Sequence, residues 1–166
     1  MRNEKTQNVV KAALFMALIT AATMVIRIPS PTQGYVNLGD CFVLLAGWIL
    51  GPVYGGIAGA AGSALCDILS GCAYYVPGTI VFKGMAAVTA SLVFAKMKNK
   101  RGALVISGIF GELFVVVGYF LYAWMILGRG LAASAGIPGN LVQATIGIVC
   151  GVILFKVFGR TGITKK

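Results

Sequence analysis

Residues 38–71 read LGDCFVLLAGWILGPVYGGIAGAAGSALCDILSG. An acid stands near each end, Asp40 and Asp67, and the apolar run between them is interrupted by GPVYGG at residues 51–56. That interruption is too short and too uncharged to be a loop in water. It reads as a tight turn joining two membrane spans, 38–53 and 55–71. Working outward, apolar stretches of comparable length place four more spans at about 9–28, 76–95, 103–127 and 138–158. The chain is therefore expected to be an all-α membrane protein of six transmembrane helices, one integral domain over residues 1–166, multi-pass in the cell membrane.

Composition agrees. Hydrophobic residues make up 58% of the 166 and charged residues 11%, against about 25% charged in a soluble domain; mean hydropathy is +0.91. The basic start and long apolar run at the N-terminus read as a retained first helix, because the run continues past the small residues that would mark a cleavage site. A net charge of +10 suggests nucleic acid until its distribution is considered. Arg2, Lys5 and Lys11 lie at the start of the first span, Lys96, Lys98, Lys100 and Arg101 in one loop, and Lys156, Arg160, Lys165 and Lys166 at the end. Six spans put all three clusters on one side, the pattern of cytoplasmic loops, with anionic lipid as a secondary contact. Both termini are then cytoplasmic. The outer side holds residues 27–37, whose length and composition suit a lid, a turn at 71–77, and residues 128–139.

Several chemistries are not expected. Cys41, Cys66, Cys72 and Cys150 form no CxxC pair and histidine is absent, so neither a zinc or haem site nor a histidine-dependent nucleophile fits. No phosphate-binding loop of the Walker type is present. The chain reads as no enzyme, with no cofactor, metal or catalytic residue of its own.

Three of the four acids, Asp40, Asp67 and Glu112, lie in or against apolar stretches. A carboxylate in hydrocarbon costs at least about 3 kcal/mol unless it is paired or faces a cavity, so a polar cavity is expected. Asp40 either caps the second span or contributes to that cavity. Tyr35 and Asn37, in GYVNLGD at 34–40, either stack on and hydrogen-bond a ligand beneath a lid or are interfacial and turn residues. Asp67 shares a helix face with Ser63 and Ser70, and Lys83 is the lysine well inside a span. The favoured reading pairs Asp67 with Lys83; the other has both contacting ligand. Glu112 and Tyr119 stand two helical turns apart on one face, close to Tyr122. A carboxylate with a phenol ring suits a flat nitrogen heterocycle, the alternative being a helix-pairing glutamate. Asn140 and Gln143, in PGNLVQ at 138–143, offer amides at a helix start, for a neutral polar ligand or for capping. Ala13, Ala17 and Ala21 align on one face of the first span, for packing within the chain or for docking to another membrane protein. The same spacing in Gly51, Gly55 and Gly59, and in Gly147 and Gly151, is expected to serve internal packing.

In its order of motifs the chain resembles the substrate-binding S components of energy-coupling-factor (ECF) vitamin transporters. The resemblance rests on six short spans, the alanine stripe, the GYVNLGD lid, the Glu112–Tyr119 segment and PGNLVQ. It is strongest for the branch associated with hydroxymethylpyrimidine and pyridoxine, to which riboflavin naming is also attached. It implies a subunit that binds a vitamin or precursor from outside and works with a transmembrane coupling subunit and two cytoplasmic ATPases. It also implies that Ala13, Ala17 and Ala21 face the coupling subunit, that the first loop is a lid, and that the S component topples in the membrane. Pantothenate, biotin and folate would want a cationic pocket, which Lys83 and Arg27 supply if Asp67 leaves Lys83 free. The competing reading is a stand-alone proton- or ion-coupled carrier or channel, with Asp67, Lys83 and Glu112 as a relay.

Overall fold

The structure is a computed structural model, and it describes residues 4–29, 35–97 and 100–160. Helix α1 (Glu4–Val25) leads into a small antiparallel hairpin, β1 (Arg27–Pro29) against β2 (Tyr35–Asn37), with Ile28 opposite Val36. Four longer helices follow: α2 (Asp40–Leu69), α3 (Val76–Met97), α4 (Ala103–Leu121) and α5 (Ile137–Arg160). A π-helical turn, Tyr122–Ile126, extends α4, and a 3-10 segment, Gly130–Gly136, runs straight into α5. Among the described residues five helices are long and apolar enough to cross a membrane.

Helix α2 is interrupted at Gly51, the one residue inside it with non-helical torsions, φ 85° and ψ 179°. A side chain at that positive φ is strained, which glycine avoids. Pro52 then opens the second half, where its fixed φ suits a helix start and its missing N–H costs nothing. The two halves fold against each other. A Cβ on Gly55 would lie 2.7 Å from the Ala46 carbonyl oxygen, and one on Gly59 would lie 3.2 Å from Val43. The turn expected over 51–56 is thus a single residue, with 52–56 already helical. Asp40 and Asp67 come to the same end of this hairpin.

Small residues let the other helices close in. Gly47 presses on the Ala87 carbonyl oxygen of α3, Gly111 on that of Ala86, and Gly62 on that of Met16 in α1. Gly147 and Gly151 take up α5 against Asp40, Cys41 and Trp48, the internal packing expected of them. The buried core includes Ile19, Val43, Leu44, Leu45, Trp48, Val115 and Ala86, Ala87 and Ala90 of α3. Large apolar side chains such as Val25, Ile57, Ile109, Met125 and Ile153 point outward, as a lipid-facing surface requires.

On α1 the buried face is Ala12, Phe15, Ile19, Thr20 and Thr23, while Ala13, Ala17 and Ala21 are exposed. Packing within the chain therefore does not explain the alanine stripe. Asp40 does not cap α2 either: Gly39 holds the cap position, without a side-chain cap bond. Residues 30–34 of the expected lid lie outside the described residues, as do Arg2, Lys98, Lys165 and Lys166.

Candidate ligand-binding site

A cavity opens where the β-hairpin meets the ends of α2, α3, α4 and α5. Its wall carries Tyr35 and Asn37 from the hairpin, Ser63 and Asp67 from α2, and Tyr75, Thr79 and Lys83 on or just before α3. Tyr119, Phe120 and Ala123 come from α4 and its extension, and Asn140 and Gln143 from α5. Thr23, Ala133 and Gly136 complete it.

Two hydrogen-bond chains tie the hairpin to the buried acids. In the first, the Tyr35 hydroxyl donates to one oxygen of Asp67 and the Thr79 hydroxyl to the other. Because Thr79 spends its only proton there, the Tyr119 hydroxyl, 2.7 Å away, donates to Thr79. In the second, the Asn37 backbone N–H donates to Gln143 Oε1 at 2.7 Å, and Gln143 Nε2 donates to Asp40 Oδ2 at 2.7 Å. The other Asp40 oxygen takes the Lys83 ammonium in a buried ion pair. Lys83 also sits 5.6 Å from the centre of the Tyr119 ring. Outside the membrane-spanning segments, burial and the Asp67 carboxylate push the Tyr35 phenol well above its ordinary range, so it remains a donor.

The expected Asp67–Lys83 pair is therefore corrected. Lys83 is bound to Asp40, and Asp67 is held by hydroxyls. The reason lies in the hairpin at Gly51, which returns both acids to one end and leaves Asp40 facing α3 and α5. With Lys83 neutralised, Asp67 is the acid on the wall with no cation bonded to it among the described residues. Each of its oxygens keeps a lone pair. The remaining Gln143 N–H and the Asn140 amide, unbonded among the described residues, add a donor and a donor–acceptor. Tyr75 and Tyr119, with ring centres 5.9 Å apart and planes at 73°, supply aromatic faces. Such a wall suits a small flat heterocycle carrying amino or protonated nitrogen groups.

Of the eight residues expected at a ligand site, Tyr35, Asn37, Asp67, Lys83, Tyr119, Asn140 and Gln143 line this cavity. Glu112 does not. It is 2% exposed, and no hydrogen-bond donor reaches either carboxylate oxygen among the described residues; it stands against the Asp40 carboxyl. Asn140 lies within the first turn of α5, not at a cap. Ser70 is turned to Cys66, and Tyr122 donates to the Tyr74 carbonyl. Sequence reasoning missed Thr79 and Tyr75, although Tyr75, Thr79 and Lys83 recur every four residues and so share a face. It also missed Asp40 as the anchor behind Lys83 and Gln143, which no local spacing reveals.

Comparison with known proteins agrees with this architecture. Residues 3–160 match the family model described as ECF-type riboflavin transporter, S component. An uncharacterised Pyrococcus woesei protein, described by its position in the gap 3' region, is 37% identical over 134 residues, covering 80% of this chain and 88% of that protein. The thiamine precursor transporter HmpT of Lactococcus lactis subsp. cremoris is 27% identical over 160 residues, covering 93% of this chain and 91% of its own length. A solved S component of a bacterial ECF transporter superposes with a TM-score of 0.68 at 18% identity, over 95% of this chain and 98% of that one; it shares the fold.

Proposed function

The chain belongs to the family of ECF-type riboflavin transporter S components, and we propose that it binds a hydroxymethylpyrimidine-type thiamine precursor or pyridoxine for import. Membership makes it an integral membrane transport subunit, not an enzyme. One observation carries the choice of ligand: Asp67, on the same cavity wall as the Tyr75 and Tyr119 rings, is held by the hydroxyls of Tyr35 and Thr79 and, among the described residues, by no cation. An aminopyrimidine or protonatable pyridine offers the N–H donors such a carboxylate accepts. A carboxylate-bearing vitamin would meet a wall whose lysine is already paired. The thiamine-precursor name of the Lactococcus relative points the same way. Riboflavin is the second reading, favoured by the family's description.

The family further supports a transmembrane coupling subunit and two cytoplasmic ATPases as partners, with ATP consumed there and no cofactor in this chain. The exposed Ala13, Ala17 and Ala21 are the proposed contact to the coupling subunit. The fold at Gly51 supports six crossings, with both termini and the 96–101 loop in the cytoplasm. The lid is the hairpin of Arg27–Pro29 and Tyr35–Asn37, latched to the pocket through Tyr35 and Asn37.

The decisive experiment is native mass spectrometry of the purified protein with release of any co-purified ligand. A hydroxymethylpyrimidine or pyridoxine mass is expected, with affinity in the nanomolar to micromolar range typical of specific small-molecule sites. A flavin mass would replace the pyrimidine reading with the riboflavin one. An anionic vitamin would refute the assignment of Asp67.

A further inference from the structure

Glu112 is the buried group that the ligand site does not use. Its neighbour Gly111 presses on the Ala86 carbonyl oxygen of α3 and on Leu44 of α2. Ala86 is three residues beyond Lys83, and Leu44 four beyond Asp40, so the backbone at Gly111 lies about one helical turn beyond the Asp40–Lys83 pair, and the Glu112 carboxyl reaches back to that of Asp40. Those two are the charged groups acting on it from α2 and α3. The α5 helix, which also packs on α4, brings the non-titrating Gln143 to Asp40. Tyr119 stands two turns along α4 itself, and Asp67 is held apart by Tyr35 and Thr79.

Two observations point to a missing positive charge. Glu112 is 98% buried by its 2% exposure, yet no hydrogen-bond donor reaches either oxygen among the described residues, and the polar group against it is another acceptor, the Asp40 carboxylate. Buried polar groups are ordinarily satisfied, and buried charges paired. The buried charges described are three acids, Asp40, Asp67 and Glu112, against one lysine, Lys83, and Asp40 already holds that lysine.

We propose that Glu112 is a binding site for one monovalent cation, a proton or sodium, beneath the ligand cavity. Occupancy makes the Asp40–Lys83–Glu112 cluster neutral, leaving Asp67 as the net charge that the ligand meets. The site differs from the vitamin pocket because Glu112 is off its wall, and its test needs no vitamin.

Thermal unfolding of the ligand-free protein would be followed in sodium chloride and in N-methylglucamine chloride at equal ionic strength, from mildly acidic to mildly alkaline pH. The unfolding temperature should rise by several degrees on acidification if the occupant is a proton, or with sodium at alkaline pH if it is sodium. E112Q, neutral without an occupant, should lose that response, whereas D67N should keep it. A wild-type protein indifferent to both cations, or an E112Q variant that responds like wild type, overturns the proposal. Should E112Q fail to fold, infrared spectroscopy still decides. Glutamate occurs only at positions 4 and 112, so E4Q protein with isotope-labelled glutamate reports on Glu112 alone. A carboxylic acid band supports the proton and a sodium-sensitive carboxylate band supports sodium; a carboxylate band indifferent to sodium and to acidification refutes both.

Discussion

Asp67 accepts hydrogen bonds from Tyr35 on the β-hairpin and Thr79 on α3, so in the proposed role one carboxylate would join lid closure to ligand contact. Hydrogen bonds to a charged group contribute about 1.5–3 kcal/mol each. D67N keeps the shape and removes the charge. We expect it to weaken binding of a hydroxymethylpyrimidine or pyridoxine by about tenfold to a hundredfold, equivalent to about 1.4–2.8 kcal/mol. Isothermal titration of the purified variant checks this, and unchanged affinity would remove Asp67 from the site. Much of the wall was legible beforehand because polar residues in apolar helices carry a strong signal: Asp67, Lys83, Tyr119, Asn140 and Gln143 announce themselves. Their pairing was not legible. Asp40 and Lys83 are 43 residues apart, and whether Lys83 meets Asp40 or Asp67 depends on how the 51–56 turn folds back. Glu112 gave the same signal as the wall residues yet points elsewhere, since the side a residue faces on a thoroughly apolar helix is set by its neighbours.

At the scale of elements, the α2 hairpin depends on absent side chains. A Cβ at Gly55 would sit 2.7 Å from both the Ala46 carbonyl oxygen and the Gly47 Cα. These are backbone atoms that cannot rotate away. G55V should force the two halves apart and cost about 1–3 kcal/mol or more, the range for overpacking a tight contact. The readout is a lower unfolding temperature in detergent with loss of ligand affinity, because Asp40 and Asp67 would separate. G51A meets open space and suffers only its positive φ, so it should be the milder of the two. The α1 helix offers the complementary case. Ala13 is exposed, so A13W should leave folding and binding intact while abolishing uptake in cells that carry the coupling module. Normal uptake would remove this stripe from the docking surface. The small-residue spacing was visible in the sequence for both helices. Which stripe packs inward and which stays bare required the burial of Phe15, Ile19 and Thr23 on the opposite face of α1.

At the scale of the whole molecule, among the described residues the cavity lies at one end and the basic positions Lys5, Lys11, Lys96, Lys100, Arg101 and Lys156 toward the other. Asp40, Asp67 and the lid hairpin gather at one end of the α2 hairpin, while Gly51 marks the other. Helix α3 runs from Thr79 on the cavity wall past Lys83 to Lys96. A polar pocket at one face and basic residues at the other is the asymmetry that the proposed role, a receptor facing outward and docking inward, would require. An ion-coupled carrier would instead need an exit across the bilayer. Along that path stand fully buried Leu44, Leu45 and Val43, Ala86, Ala87 and Ala90 of α3, and Trp48, whose indole N–H is bonded to Ser107 at 3.0 Å. A substrate leaving the cavity toward the basic end would have to displace these packed side chains. Liposomes holding the purified protein alone should therefore bind labelled ligand at the outer face and accumulate none, under either a proton or a sodium gradient. Adding the coupling subunit and ATPases with ATP inside the vesicles, where outward-facing receptors meet their energy source, should start accumulation. Gradient-driven uptake without them would show that the core opens within this one chain, and would put the stand-alone carrier ahead of the S-component reading.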